Sequence, residues 1–442
     1  MERGPGQYQH ADTLPINRGG QTGPHSRAPC RFVWKAASST RGRLRERAGR
    51  QVLELGHAQV GDSDEVAASP EAPCSTFGLF GGFSFHLQNE DIFTCDCDRF
   101  NIMGVDVEKK PQMTLEKRIN LGDAIPLSTP LVVYIEPTTY CNLACKFCPH
   151  YLSYDDFEHG HMPTEIFHKA CDEMLDFPEK VRLLRICGLG DSLFNKQIES
   201  FVEYAGRVRP AEKIELITNG LLLKEKHFLA FSNNLTRLIV SIEGLSNEDY
   251  LEFTNRKVDF DKFVETLKAF ARIESRHCRL HVKIHNSAVS TPERLQRFHE
   301  IFSDIADELY VENLINLWPE LVSNLGLNSG HRFVSKSISP QVACAQIFKS
   351  MQVNFDGKVM PCCIDWKVIN VIGDIQKQTL QEIWTGSEML KLQIRHLNGE
   401  RNSFNPCAGC SMNEESDIDS FDDRLDAVKN RLFDKYQRIA VL

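Results

Sequence analysis

Between residues 131 and 316 short apolar, β-rich runs alternate with amphipathic stretches at a spacing of roughly 25 to 30 residues. The runs "LVVYIEPT" (131–138), "VRLLRICG" (181–188), "KIELITNG" (213–220), "RLIVSIEG" (237–244), "RLHVKIHN" (279–286) and "LYVENLIN" (309–316) predict six strands. Between them "TEIFHKACDEMLDF", "NKQIESFVEYAGRV", "FDKFVETLKAFARIES" and "TPERLQRFHEIFSDIA" carry apolar residues at helical spacing. The last opens on Ser290-Thr291-Pro292-Glu293, a helix-start signal with a capping hydroxyl and a proline in the first turn. Apolar strands alternating with helices imply a parallel sheet covered by helices, in which ligands sit at the carboxyl ends of the strands. Further on, "NFDGKVMP" reads as a hairpin turning at Asp356-Gly357. A last stretch places Phe421, Leu425, Val428, Leu432 and Tyr436 on one helical face, which predicts packing on the body.

The first 75 residues break this texture. They are rich in Gly, Pro, Ser and Arg, and the first 50 hold ten basic residues against three acidic ones, which predicts no packed core. "FVWKAASSTRGRLRERAGRQVLEL" could form a basic amphipathic helix of the organelle-targeting kind, although no leader-and-cleavage pattern is clean, and a cytoplasmic protein is the working expectation. "CDCD", with Cys95 and Cys97, is too short to make a site and reads as a turn. The expected organisation is an irregular extension over 1–110, a catalytic unit over 125–325, a cysteine-rich unit over 340–412 and a terminal helix over 413–442.

Charge and composition remove some functions. A net charge of −9 argues against non-specific nucleic-acid binding, and no apolar run approaches the length of a bilayer span. The 15 cysteines are clustered rather than spread as in a disulfide scaffold, which points to a reducing compartment and to metal ligation. Cys171, Cys187 and Cys278 lie in apolar periodic segments and read as small core residues.

The chemistry concentrates in "TTYCNLACKFCPH", directly after the first strand, where Cys141, Cys145 and Cys148 fall within eight residues. Four thiolates close a tetrahedral zinc site or a cubane cluster, whereas three leave one metal position open. In a [4Fe-4S] cluster the open iron could bind a substrate or cofactor through nitrogen and oxygen. Zinc with a remote fourth ligand is the alternative.

The signature "CNLACKFC", with Phe147 at its aromatic place, resembles that of the radical S-adenosylmethionine (SAM) enzymes. The resemblance implies a partial (β/α)6 barrel with parallel strands and a [4Fe-4S] cluster on Cys141, Cys145 and Cys148. It further implies reductive cleavage of SAM to a 5'-deoxyadenosyl radical that takes hydrogen from a substrate, with a one-electron donor such as flavodoxin or ferredoxin. "GLGDSLFN" stands where the family has a glycine-rich turn that binds the SAM amino group, so Gly188, Gly190 and Asp191 become cofactor-binding candidates. Leu189, Asp191 and Ser192 depart from the family's glycine, glutamate and proline there. Ser241 and Asn286, at the ends of strands four and five, are further cofactor candidates. Glu136, His150, Glu243 and His285 also fall near strand ends, and none is singled out as catalytic acid or base.

A second set, Cys344, Cys362, Cys407 and Cys410, could close a site with no open position. "GKVMPCCID" followed by "IGDIQKQTLQEIW" resembles the SPASM/twitch extension of the same enzymes, in a shortened form that implies a small α+β domain with one auxiliary [4Fe-4S] cluster. Cys363 could replace Cys362 or be its buried neighbour, and zinc stays open as the metal. Relatives with this extension act on sugars or aminocyclitols, or modify peptides. A small-molecule substrate is the leading expectation, with a peptide maturase and a non-catalytic metal-binding scaffold as alternatives.

Overall fold

A computed structural model describes residues 108–109, 120–315, 317–318, 340–414 and 419–440. The expected N-terminal extension, apart from 108–109, lies outside the described residues, as do its basic helix and the pair Cys95 and Cys97.

Ten strands form one sheet in the order β1-β7-β6-β5-β4-β3-β2-β8-β9-β10. Strands β2 (Val132–Ile135), β3 (Val181–Ile186), β4 (Ala211–Thr218), β5 (Arg237–Ile242), β6 (Arg279–His285) and β7 (Glu308–Glu312) are parallel and lie side by side in chain order. A doubly wound sheet would reverse direction part-way. An unreversed run of crossovers of one hand puts every helix on the same face, the arrangement of a barrel rather than a three-layer sandwich. β1 (Glu108–Lys109) adds to β7, and on the other side β8 (Ser350–Val353) pairs in parallel with β2. The antiparallel strands β9 (Lys358–Met360) and β10 (Gly373–Asp374) follow, so the cysteine-rich segment continues the sheet. The hairpin between β8 and β9 turns at Gly357, whose φ of 87° suits a residue without Cβ.

Strand alternation divides the sheet into two unlike faces. Val133, Ile135, Leu184, Ile186, Leu216, Leu238, Val240, Val282 and Ile284 pack with helix residues such as Phe167, Phe201, Phe231, Leu267 and Phe298 in one apolar core. The other face carries the polar residues Arg185, Glu215, Arg237, His281, Lys283 and Glu308 beside apolar ones such as Ile239. Glu215 bridges two guanidiniums, with Arg185 Nη2 donating to Oε2 and Arg237 Nη2 to Oε1, each at 2.6 Å. Arg237 also reaches Glu308 on β7, past β6, at 3.1 Å. The two long side chains together span the intervening strand. Arg185 and Glu215 are 7% and 3% exposed, so this polar layer is buried.

The helix Pro292–Phe302 starts as its sequence predicts, with Thr291 Oγ1 accepting from Arg294 N and Pro292 in the first turn. The helix Leu425–Ala440 buries Val428 and Leu432, beside Phe421, against Leu121, Phe348 and Leu397 in a second core. Among the described residues no helix is long and apolar enough to cross a membrane.

Candidate functional site

The three-cysteine loop leaves β2 at the carboxyl-end rim of the sheet. It is held by backbone pairing rather than by a regular element: Ala144 N donates to Thr254 O at 3.1 Å and Lys146 N to Phe253 O at 3.0 Å. These bonds staple it to the end of the helix Asn247–Thr254, which follows β5. Cys148 then caps the short helix Pro149–Leu152. Burial pushes the Cys141 thiol up to about 12, with Asp191 adding to it, and the Cys148 thiol up to about 11. Without a cation these sulfurs hold their protons; bound to iron they would be thiolates.

The sulfurs are met by donors. Leu143 N donates to Cys141 Sγ at 3.4 Å, and the Asn219 amide lies 3.9 Å from the same sulfur. In the second thiol set Ile364 N donates to Cys362 Sγ at 3.4 Å and Met412 N to Cys410 Sγ at 3.5 Å. An N–H two residues beyond the cysteine thus meets the sulfur at both sites, and an anionic, iron-bound sulfur accepts such bonds better than a thiol does. Among the described residues no three His, Cys, Asp or Glu side chains converge as ligands of a single ion would. In a polynuclear cluster each thiolate binds its own iron, so that convergence is not required, and both thiol sets fit such a group.

The turn after β3 sits against the loop. Gly188 has no room for a side chain, since a Cβ there would fall 2.2 Å from Glu136 Cγ. At Gly190 a Cβ would fall 2.5 Å from the carbonyl oxygens of Thr138 and Tyr140, the backbone leading into the cysteines. Asp191 points inward: its carboxylate accepts from Leu193 N at 3.0 Å, Thr218 Oγ1 at 2.9 Å and Asn219 N at 2.6 Å. It thereby ties this turn to the end of β4, and Asn219 in turn donates to Asn142 Oδ1 in the cysteine loop at 2.9 Å. Burial raises the Asp191 carboxyl above its ordinary value despite these three donors.

Ser241 is partly exposed on β5, on the inner face. Asn286 Oδ1 accepts from Leu314 N at 3.0 Å, which joins the ends of β6 and β7. The ring of Phe147 meets His285 edge-on, with centroids 5.3 Å apart. His285 Nε2 lies 3.6 Å from Glu243 Oε2, and burial holds that imidazole down at about 4 while it pushes Glu243 up to about 7. Cys171 and Cys278 are buried in the helix-side core. Cys187, expected there too, is only partly buried and continues the inner face after Arg185, because strand alternation places it opposite Ile186.

Cys344, Cys362, Cys407 and Cys410 line one small, mostly apolar cavity with His396 and Arg401; Cys363 does not line it. Cys344 N donates to His396 Nδ1 at 3.2 Å, which makes Nδ1 the acceptor and leaves the proton on Nε2. That Nε2–H is buried and has no partner among the described residues, and neither has Arg401 Nε. Two orphaned donors beside four thiols fit a group rich in anionic sulfur. Neither His396 nor Arg401 carried a signal in the sequence, since both stand in ordinary helical or loop text.

Residues 135–298 match the family model described as the radical SAM superfamily, and residues 344–411 match one described as an iron-sulfur cluster-binding domain. A GTP 3',8-cyclase of Staphylococcus carnosus is 29% identical over 146 residues, covering 29% of this chain and 39% of the relative. The FeMo cofactor biosynthesis protein NifB of Methanocaldococcus infernus is 26% identical over 210 residues, covering 42% of this chain and 67% of that protein. The chain thus spans less than half the length of the cyclase it matches. Among solved structures, BtrN in complex with AdoMet and 2-DOIA aligns over 66% of this chain and 97% of that one, with 18% identity and a TM-score of 0.44.

Proposed function

We propose that this chain, which belongs to the radical SAM superfamily, is an enzyme that cleaves SAM reductively and removes hydrogen from a small molecule of the sugar or aminocyclitol type. The observation that carries the reading is the three-thiol loop at the strand ends, stapled by Thr254 and Phe253 and followed by the glycine turn at 188–190. A [4Fe-4S] cluster held there would supply the one-electron reduction that breaks a C–S bond of SAM, releasing methionine and the hydrogen-abstracting 5'-deoxyadenosyl fragment.

The chain's own residues supply the rest. Cys141, Cys145 and Cys148 would hold that cluster, and Leu143 N–H and Asn219 stabilise negative charge on the Cys141 sulfur. Gly188 and Gly190, without side chains, leave backbone exposed next to the loop, where it can accept from the SAM ammonium. Asp191 positions that turn, its oxygens already accepting three protein donors. Ser241, Asn286 and Phe147 border the same rim and would contact the cofactor. Below them the Arg185–Glu215–Arg237–Glu308 chain fills the inner face and excludes water from the floor. Cys344, Cys362, Cys407 and Cys410 would hold an auxiliary cluster, and a flavodoxin or ferredoxin would deliver the electron.

A peptide substrate is the competing outcome. The test is anaerobic reconstitution of the full chain with iron, sulfide, dithionite and SAM. Release of 5'-deoxyadenosine that disappears in the Cys141→Ala, Cys145→Ala, Cys148→Ala triple variant supports the reading. Unchanged release in that variant, or a protein that binds only zinc and releases none, overturns it in favour of a scaffold.

A further inference from the structure

A cavity of about 410 Å³ opens between the rim of β2 and β3, the loop 155–158, the β8–β9 hairpin and the loop 365–371. Its size suits one small molecule rather than a length of peptide. Six carboxylate residues line it against two lysines. Both lysines are engaged already: Lys358 lies 2.7 Å from Asp356 and 3.4 Å from Glu158, and Lys367 lies 3.4 Å from Asp156. Glu136, Asp155 and Asp365 form no ion pair among the described residues. Glu136 and Asp365 are each 4% exposed; Asp365 accepts from Ile369 N and Asn370 N, and Glu136 Oε1 accepts from Leu189 N at 2.7 Å.

A second observation is independent of this charge. Gln352, on β8, is 6% exposed and lines the same cavity. Its Nε2 donates to Asn354 Oδ1 at 2.8 Å, which fixes the amide's orientation, and its Oε1 is buried without a partner among the described residues. A buried carbonyl left unpaired is costly, so this position suits a donor brought by a ligand. The walls add the rings of Phe157, Phe355 and Trp366, faces on which a cation or a sugar-like ring rests well. Phe355 is itself fixed, its ring packed so tightly on Gly160 that a Cβ there would fall 2.1 Å from it.

The cavity's charged lining is thus mostly acidic, with its two lysines already paired to its own carboxylates. We infer that this cavity is the substrate site and that it takes a small cationic molecule bearing a primary amine and several hydroxyl donors, with the amine on Glu136 and Asp155 and a donor on Gln352 Oε1. Neutral sugars would lack the charge, and phosphorylated ones would be repelled. The assignment rests on the reading above for the reaction, while the binding it describes can be measured without turnover.

The test is calorimetric titration of the anaerobically purified full chain, without reductant or SAM, against three probes: the diamine 2-deoxystreptamine, the uncharged ring scyllo-inositol, and a short lysine-containing peptide. We expect 2-deoxystreptamine to bind at least about tenfold more tightly than scyllo-inositol. That affinity should fall about tenfold or more in Glu136→Gln and in Gln352→Leu, and several-fold in Asp155→Asn. Asp155 is exposed, so its variant decides the matter should Glu136→Gln not fold. Equal binding of the diamine and the uncharged ring, diamine affinity unchanged in the variants, or binding of the peptide alone would each overturn the assignment. If SAM cleavage persists while the diamine fails to bind, only this cavity assignment falls. If the diamine binds but no 5'-deoxyadenosine forms, only the enzymatic reading falls.

Discussion

Glu136 and Gly188 occupy one space: the Glu136 side chain lies across the Gly188 Cα so closely that a Cβ there would come within 2.4 Å of its Oε1, and the next residue, Leu189, donates its N–H to that oxygen. The end of β2 and the turn after β3 are thus locked together beside the cysteine loop.

Gly188→Ala should therefore cost about 1–3 kcal/mol of stability, as overpacking of a fixed contact does. The cost should shrink when Glu136→Gly removes the opposing atoms, which chemical denaturation of the single and double variants would measure. Additive losses would show that Glu136 does not fill the space above Gly188.

Burial pushes the Glu136 carboxyl up to about 7, with the Asp356 charge adding to it. A carboxyl raised in the folded state favours its neutral form there, so its contribution to stability is fully present below the unfolded value near 4.5 and is lost as pH rises through 7. The wild-type melting temperature should fall from pH 5 to pH 8 more than that of Glu136→Gln, by an amount worth at most about 3 kcal/mol. Parallel pH profiles for the two proteins would contradict the shift. A bound amine should reduce the difference by stabilising the ionised form.

The inner-face ion chain is testable at its centre. Burial raises the Glu215 carboxyl, but Arg185 and Arg237 outweigh it and hold the group below its ordinary value. Glu215→Gln leaves both guanidiniums short of an anion in a dry layer, and a loss of about 3–5 kcal/mol is expected from thermal and urea unfolding. A loss below about 1 kcal/mol would mean that water reaches this layer.

His396 should set the potential of the auxiliary cluster without binding it. Burial, helped by Arg401 and Arg395, pushes its imidazole down to about 3, so it is neutral, with Nδ1 occupied by Cys344 N–H and Nε2–H free to donate to sulfur. In His396→Leu the second cluster's midpoint should move to more negative potential while the first cluster's stays in place, as redox titration followed by electron paramagnetic resonance would report. Loss of the second cluster altogether would instead make His396 a ligand.

Much of this was legible in the chain. The six parallel strands, the capped helix at Thr291, the hairpin at Gly357 and the two thiol sets all follow from local rules, namely alternation, capping, turn geometry and ligand spacing. Cys187 was misplaced as a core residue because an apolar run shows no face until its neighbours are known. The polar inner layer went unread for the same reason: Arg185, Glu215 and Arg237 look like solvent-facing charges within alternating strands, and only the pairing across β3, β4 and β5 reveals that they satisfy one another.

By itself, then, the sequence determined which elements form and which sulfurs stand together, because those depend on neighbours a few residues apart. Tertiary structure alone decided that β8 extends the barrel sheet beside β2, that Asp191 spends its carboxylate on Thr218 and Asn219, and that Glu136 and Gln352 face one cavity. Those contacts join residues as far apart as Val132 and Ser350. Their energies come from burial and unpaired polar atoms, and a linear pattern carries no record of either.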